Sequence, residues 1–285
     1  MSGAAQTIQE AIEHQKANRL DRAQQLYESV LRDDPSNPTA LHAMAIMAFN
    51  SGRHDEAVDL VRKAIASCPE APQFHNTHGT ILNALGLFEG AVEAFQRAIE
   101  RQPGHTNARY NMGNSLVRLG RYETAVEEYR KVLAAWPHDA FGHYNLGITL
   151  QKLGRHYEAI DEFRAVIELE HDPGEVYKAI AASYQAMAQY SQTIDSYRKA
   201  LAFKPDCPDA HVNLGMALLQ NGNFNEGWSE YSWRLRRVGW MPAYQDIPQW
   251  DGSDFSGRRL LVRCEQGFGD SIQFVRYLPM AKARG

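Results

Sequence analysis

One stretch, Thr106 to Asp139, is rewritten with variation along most of the chain. Gly113, Gly120, Ala125, Tyr129 and Pro137 mark its skeleton. Thirty-four residues later stand Gly147, Gly154, Ala159, Phe163 and His171, and 34 residues earlier stand Gly79, Gly86, Ala91, Phe95 and Pro103. A fixed period of this size is the mark of a repeat array. One such unit cannot bury its own apolar face, so it gains stability by stacking on its neighbours.

The frame fits seven times, from Ala4 to Met241. A small residue recurs in the first half (Ala11, Ala45, Gly79, Gly113, Gly147, Ala181, Gly215), and a breaker follows at mid-repeat (Asn18, Gly52, Gly86, Gly120, Gly154, Ala188, Gly222). Apolar residues in each half recur at helical spacing, as in Ala159, Ile160, Phe163 and Ile167, which predicts two short amphipathic helices per repeat. Glycine at the breaker suits a left-handed cap. A small residue inside the first helix admits a close neighbouring backbone. Proline at Pro35, Pro69, Pro103, Pro137 and Pro205 stops the second helix, since it lacks the donor needed to continue it. The polar first repeat reads as a capping unit. Repeat six drifts from the pattern, with Ala181 and Ala188 for the glycines and Thr193 for alanine.

In period and in these positions the chain resembles the tetratricopeptide repeat family over residues 4–241 of its 285. The resemblance implies an all-α, right-handed superhelical solenoid of about seven helix pairs, whose concave groove is lined by first helices and receives a protein or peptide. Asn111, Asn145 and Asn213 share one frame position on those helices, where other repeats carry Ala43, Thr77 and Ala179. A carboxamide both donates and accepts, so a ladder of them can hold a peptide by its backbone. This resembles the asparagine ladder of O-linked N-acetylglucosamine transferases. In the binding reading these asparagines face solvent and make few bonds within the array; in the structural one they tie one repeat to the next. Asn76, Tyr110, Asn114, Arg118, Tyr144 and Lys152 complete the expected groove, a mixture of amide, aromatic and basic groups suited to a peptide.

Thirty basic and 34 acidic residues leave a net charge of −4, without the basic footprint of a nucleic-acid binder. No apolar run reaches membrane-spanning length. Cys68, Cys207 and Cys264 form no disulfide framework and point to a reducing, cytoplasmic setting. His75 and His78 share a helix face, but no Cys or carboxylate set completes a metal site with them. They are expected to be solvated or groove-lining, and Glu127 and Glu128 to lie together on a solvated face. No cofactor and no metal are expected; the oligomeric state stays open.

After Met241 the pattern changes. Residues 242–257 read as a linker. Arg259 to Cys264 reads as a buried strand, followed by the turn Gly267-Phe268-Gly269-Asp270 and a helical stretch to Ala283, the opening of an α/β unit. This segment resembles the junction in bacterial proteins that join tetratricopeptide repeats to a glycosyltransferase-like domain, and its motif resembles the start of the heptosyltransferases. That resemblance puts Asp270 on a catalytic base, should a complete transferase domain exist. With one strand and one helix after the linker, the 285-residue chain alone is expected to be inactive. The alternative function is then the substrate-recognition arm of such a transferase. Trp228, Trp233, Trp240 and Trp250 are expected to help pack the region after Trp240 against the last repeat.

Overall fold

A computed structural model describes residues 3–169, 172–236 and 278–283. Fourteen helices follow in pairs: α1 Gly3–Lys16 and α2 Leu20–Asp33; α3 Pro38–Asn50 and α4 His54–Ser67; α5 Pro72–Ala84 and α6 Phe88–Arg101; α7 Thr106–Arg118 and α8 Tyr122–Ala135; α9 Ala140–Lys152 and α10 His156–Glu168; α11 Pro173–Ala186 and α12 Tyr190–Phe203; α13 Pro208–Gln220 and α14 Phe224–Tyr231. A 3-10 turn, Ser232–Arg236, follows α14, and a short helix α15 spans Leu278–Lys282. Met1–Trp233 forms one compact unit and Arg234–Gly285 a second. The expected strand, its glycine turn and Asp270 lie outside the described residues. Among those described, no strand is present, and no helix is long and apolar enough to cross a membrane.

The mid-repeat breakers do what the pattern demands. Gly52, Gly86, Gly120, Gly154 and Gly222 have φ between 72 and 83°. Asn18 and Ala188, which replace glycine, take the same left-handed turn at 56 and 55°. Pro38, Pro72, Pro173 and Pro208 open first helices at a position whose N–H has no helical acceptor. Asn37, His105 and Asp139 cap three of the first helices by accepting from Ala40, Ala108 and Phe141 backbone N–H.

The small position of each first helix faces the bulky residue of its partner helix. A Cβ on Gly79, Gly113 or Gly147 would stand 2.6–2.8 Å from a ring carbon of Phe95, Tyr129 or Phe163. At these three repeats a ring fills the space, rather than the expected backbone. Close backbone approach occurs in the last pair, where a Cβ on Gly215 would meet the Tyr231 nitrogen at 2.5 Å. The rings themselves are fully buried. The hydroxyls of Tyr27, Tyr129 and Tyr197 each reach an amide in the second half of their own repeat's first helix, Gln15, Asn114 and Gln185. Burial without such a partner would be costly. One apolar cluster runs unbroken from Leu82 to Ile180, through four repeats.

Candidate functional site: the row of first helices

The backbones of first helices of successive repeats approach one another from α3 to α11, and those of second helices stay further apart. The array therefore curves with its first helices inside, and their exposed face forms the inner surface.

Hydrogen bonds cross that surface from repeat to repeat. Asn145 Nδ2 donates to the Tyr110 hydroxyl at 2.7 Å and, more weakly, to Asn114 Oδ1 at 3.4 Å. Tyr129 donates to the same Asn114 oxygen at 2.6 Å. His42 and Thr77 repeat the first of these contacts two repeats earlier, again over 35 residues, at 2.8 Å. A second kind of bond joins Ser115 to Asn83 and Gln151 to Ser183, each over 32 residues. Burial holds the Tyr110 hydroxyl proton above the usual range, with the Asp139 charge adding to it. Burial alone depresses the His42 imidazole to about 4. These groups work as neutral donors and acceptors.

The expected groove residues thus divide. Tyr110, Asn114 and Asn145 form one network with Tyr129, so Asn145 does not stand free in solvent, because a tyrosine 35 residues earlier claims its amide. Both of its N–H groups are engaged, and its Oδ1 remains available. Asn111 has no side-chain bond among the described residues; the residue 35 before it is Asn76, whose own Oδ1 is buried without a partner. Tyr144 tilts against Phe163 with ring centroids 5.7 Å apart, and burial raises its hydroxyl pKa, with Glu175 next in effect. The Arg118 guanidinium lies 4.7 Å from the centre of the Phe88 ring. Lys152 is exposed. Asn213 on α13 bonds the Tyr197 hydroxyl of α12, across the junction between the last two repeats.

Two expectations about charged groups are corrected. His75 is 3 % exposed, and its Nε2 meets the Pro69 carbonyl at 2.7 Å. It is neither solvated nor in the groove. Glu128 is buried between Arg109 at 2.9 Å and Lys131 at 2.6 Å, while Glu127 is exposed as expected. Both corrections come from one recurring device. The carbonyl of the closing proline ends the second helix without a helical donor. A side chain six residues on supplies it: His75 to Pro69, Arg109 to Pro103, His143 to Pro137, His211 to Pro205. In the last three, that side chain also holds a glutamate nineteen residues further, Glu128, Glu162 or Glu230. At the array's end Trp233 stacks on His211, whereas Trp228 is 60 % exposed.

Paired helices at a 34-residue period, with an inner row of polar side chains, define an α-helical repeat solenoid. Profile comparison shows which one: the tetratricopeptide repeat pattern matches residues 8–72, 76–140 and 110–176, more than half of the chain, and the chain belongs to that family. A second tetratricopeptide profile matches residues 189–222. A curated relative, Protein FlbA of Caulobacter vibrioides, is 38 % identical over 69 residues, which is 22 % of this chain and only 11 % of that protein's length. Among solved structures, the C-terminal part of a tetratricopeptide protein from Cytophaga hutchinsonii superposes with a TM-score of 0.69 at 16 % identity, covering 80 % of this chain and 94 % of that one. The type IV pilus biogenesis factor PilW gives 0.63 at 19 % identity over 76 and 99 % of the two chains. YrrB, described as a tetratricopeptide protein with an unusual peptide-binding site, gives 0.59 at 16 % over 69 and 97 %. At these identities the likeness is one of fold.

Proposed function

We propose that the array is a scaffold that binds an extended segment of a partner protein along its row of first helices. The observation that carries this is the contrast between Asn111 and its surroundings. Its carboxamide has no partner among the described residues, yet it shares α7 with Tyr110 and Asn114, two members of a network, Tyr110–Asn114–Asn145–Tyr129, that is already ordered. An ordered surface loses little entropy when a ligand docks. Asn111 can donate to and accept from a peptide backbone, and Asn145 Oδ1 can accept a peptide N–H. Tyr110, Tyr144, Arg118 and Lys152 then read the side chains. That YrrB carries a peptide-binding site supports the reading by analogy of fold. A transferase role would depend on Asp270, outside the described residues, and forms no part of this proposal.

The test is peptides selected from a displayed library on the full chain. Asn111→Ala should weaken their binding by about 0.5–1.5 kcal/mol, with an unchanged melting temperature. Asn145→Ala should lower both affinity and melting temperature, because it also opens the repeat-to-repeat network. Selected peptides that bind both variants as tightly as the wild type would exclude this face.

A further inference from the structure

The second helices carry a recurring bond of their own. Arg130 on α8 donates to Glu158 on α10 at 2.9 Å, and Arg198 on α12 donates to Glu226 on α14 at 2.8 Å. Both pairs join residues 28 apart and clamp adjacent second helices. Advancing Arg62 on α4 by 28 leads to Gly90 on α6. The clamp's cation is present at this junction and its carboxylate is missing.

A cleft of about 390 Å³ opens there, lined by Arg62 and Arg97, by His78 and Leu82 of α5, and by Glu89 and Glu93. Gln96 and Thr124 fill the two clamp positions at the next junction, which also lacks the pair and also has a cleft, of about 480 Å³. Neither Arg62 nor Arg97 makes a side-chain hydrogen bond or ion pair among the described residues. The Nε2 of His78 is buried and unpartnered. Burial first, then the charges of Arg62, His75 and Arg97, depress this imidazole to about 4, so it stays neutral. Room is not the obstacle: a Cβ on Gly90 would touch only Leu82, at 3.3 Å.

We infer that this cleft, on the array's outer side, binds a carboxylate side chain of a partner protein in the place that Glu158 and Glu226 fill at their junctions. Arg62 is the direct donor and Arg97 supports it through its charge. Glu89 and Glu93 face the same space and repel polyanions. They select a segment of mixed charge, as in the intramolecular case, where Arg155 binds the same Glu158 that meets Arg130. The site is distinct from the inner row and does not depend on it.

The experiment uses the full chain and a fluorescein-labelled helical peptide of three Glu-Ala-Ala-Ala-Lys repeats, followed by anisotropy at low salt. Arg62→Ala should weaken binding by about fivefold, the scale of an exposed ion pair, and so should a peptide with Gln for Glu. Gly90→Glu, which supplies the missing carboxylate internally, should abolish binding at the cleft. Gly90→Ala guards against misfolding, since it leaves the cleft open and should keep binding. Arg130→Ala, whose partner is already internal, should change nothing. No binding by the wild type, retention in Gly90→Glu, indifference to the Gln peptide, or stronger displacement by inorganic phosphate than by unlabelled peptide would each overturn the assignment.

Discussion

Ala188→Gly should stabilise the array, and the size of the gain follows from backbone geometry alone. Ala188 holds φ at 55° in a turn that five other repeats build with glycine. The turn is the same one: Ala188 N–H meets the Gln185 carbonyl at 3.0 Å and Gln189 N–H the Tyr184 carbonyl at 2.9 Å, matching Gly120 to Val117 and Arg121 to Leu116 at 3.1 and 2.9 Å. Left-handed backbone costs an L-residue about 1–2 kcal/mol. Glycine removes that cost but adds about 0.4–1 kcal/mol of unfolded-state freedom. Packing does not enter, because a Cβ at any of the five glycine turns would have nothing within 4 Å. The net gain is roughly 0.5–1 kcal/mol, or about 1–4 °C in melting temperature for a chain of this size. Amide exchange in α11 and α12 should slow with it. Gly120→Ala should lose a similar amount. Asn18→Gly should gain less, since asparagine tolerates this region. A loss of stability in Ala188→Gly, alongside the expected loss in Gly120→Ala, would refute the left-handed turn at Ala188.

Three further outcomes are expected. Glu128→Ala leaves Arg109 without its carboxylate, held by the Pro103 carbonyl alone, and should cost about 3 kcal/mol in urea denaturation, whereas Glu127→Ala should leave stability within about 0.5 kcal/mol; equal effects would deny the buried pair. Gly147→Ala puts a Cβ 2.6 Å from Phe163 Cε1. It should cost about 1 kcal/mol, at the low end of overpacking, because repeats one and six pair alanine with tyrosine here; a neutral result would mean the ring moves freely. His42 and His78, neutral in the fold down to about pH 4, become charged in the unfolded chain below about 6.5. Their contribution is therefore complete above pH 6.5 and is lost as pH falls from there to about 4. Melting temperature should decline across that window, and His42→Asn with His78→Asn should flatten the decline.

Much of the architecture could be read from the residues, because its determinants are local. The left-handed turns follow from glycine at one position, and the helix starts from proline and Asn, His or Asp caps. The small and the bulky positions were both legible, sixteen apart as in Gly113 and Tyr129, but that the ring rather than a backbone fills the space was not. What escaped depends on neighbours distant in sequence. Glu127 and Glu128 are chemically identical, and what lets the one on the inward face of α8 stay charged there is an arginine nineteen residues earlier, on the partner helix. The pattern of proline, then His or Arg six on, then Glu nineteen further was present three times in the sequence as a second periodicity. Asn111 and Asn145 share a frame position yet differ in their bonds, with Asn76 35 residues before the one and Tyr110 35 residues before the other. Frame position alone cannot separate them.

The proline-carbonyl device limits how this chain can change length. Pro103, Pro137 and Pro205 are each held by a side chain six residues on, and that side chain grips a glutamate on the helix after its own. Inserting or deleting a single residue in the intervening loop would rotate the holding residue off the carbonyl and pull the glutamate's partner away at once. Insertion or loss of a whole 34-residue unit leaves every such triplet intact. An array built this way can lengthen or shorten by duplication and excision of entire repeats, and it resists drift in the loops between them.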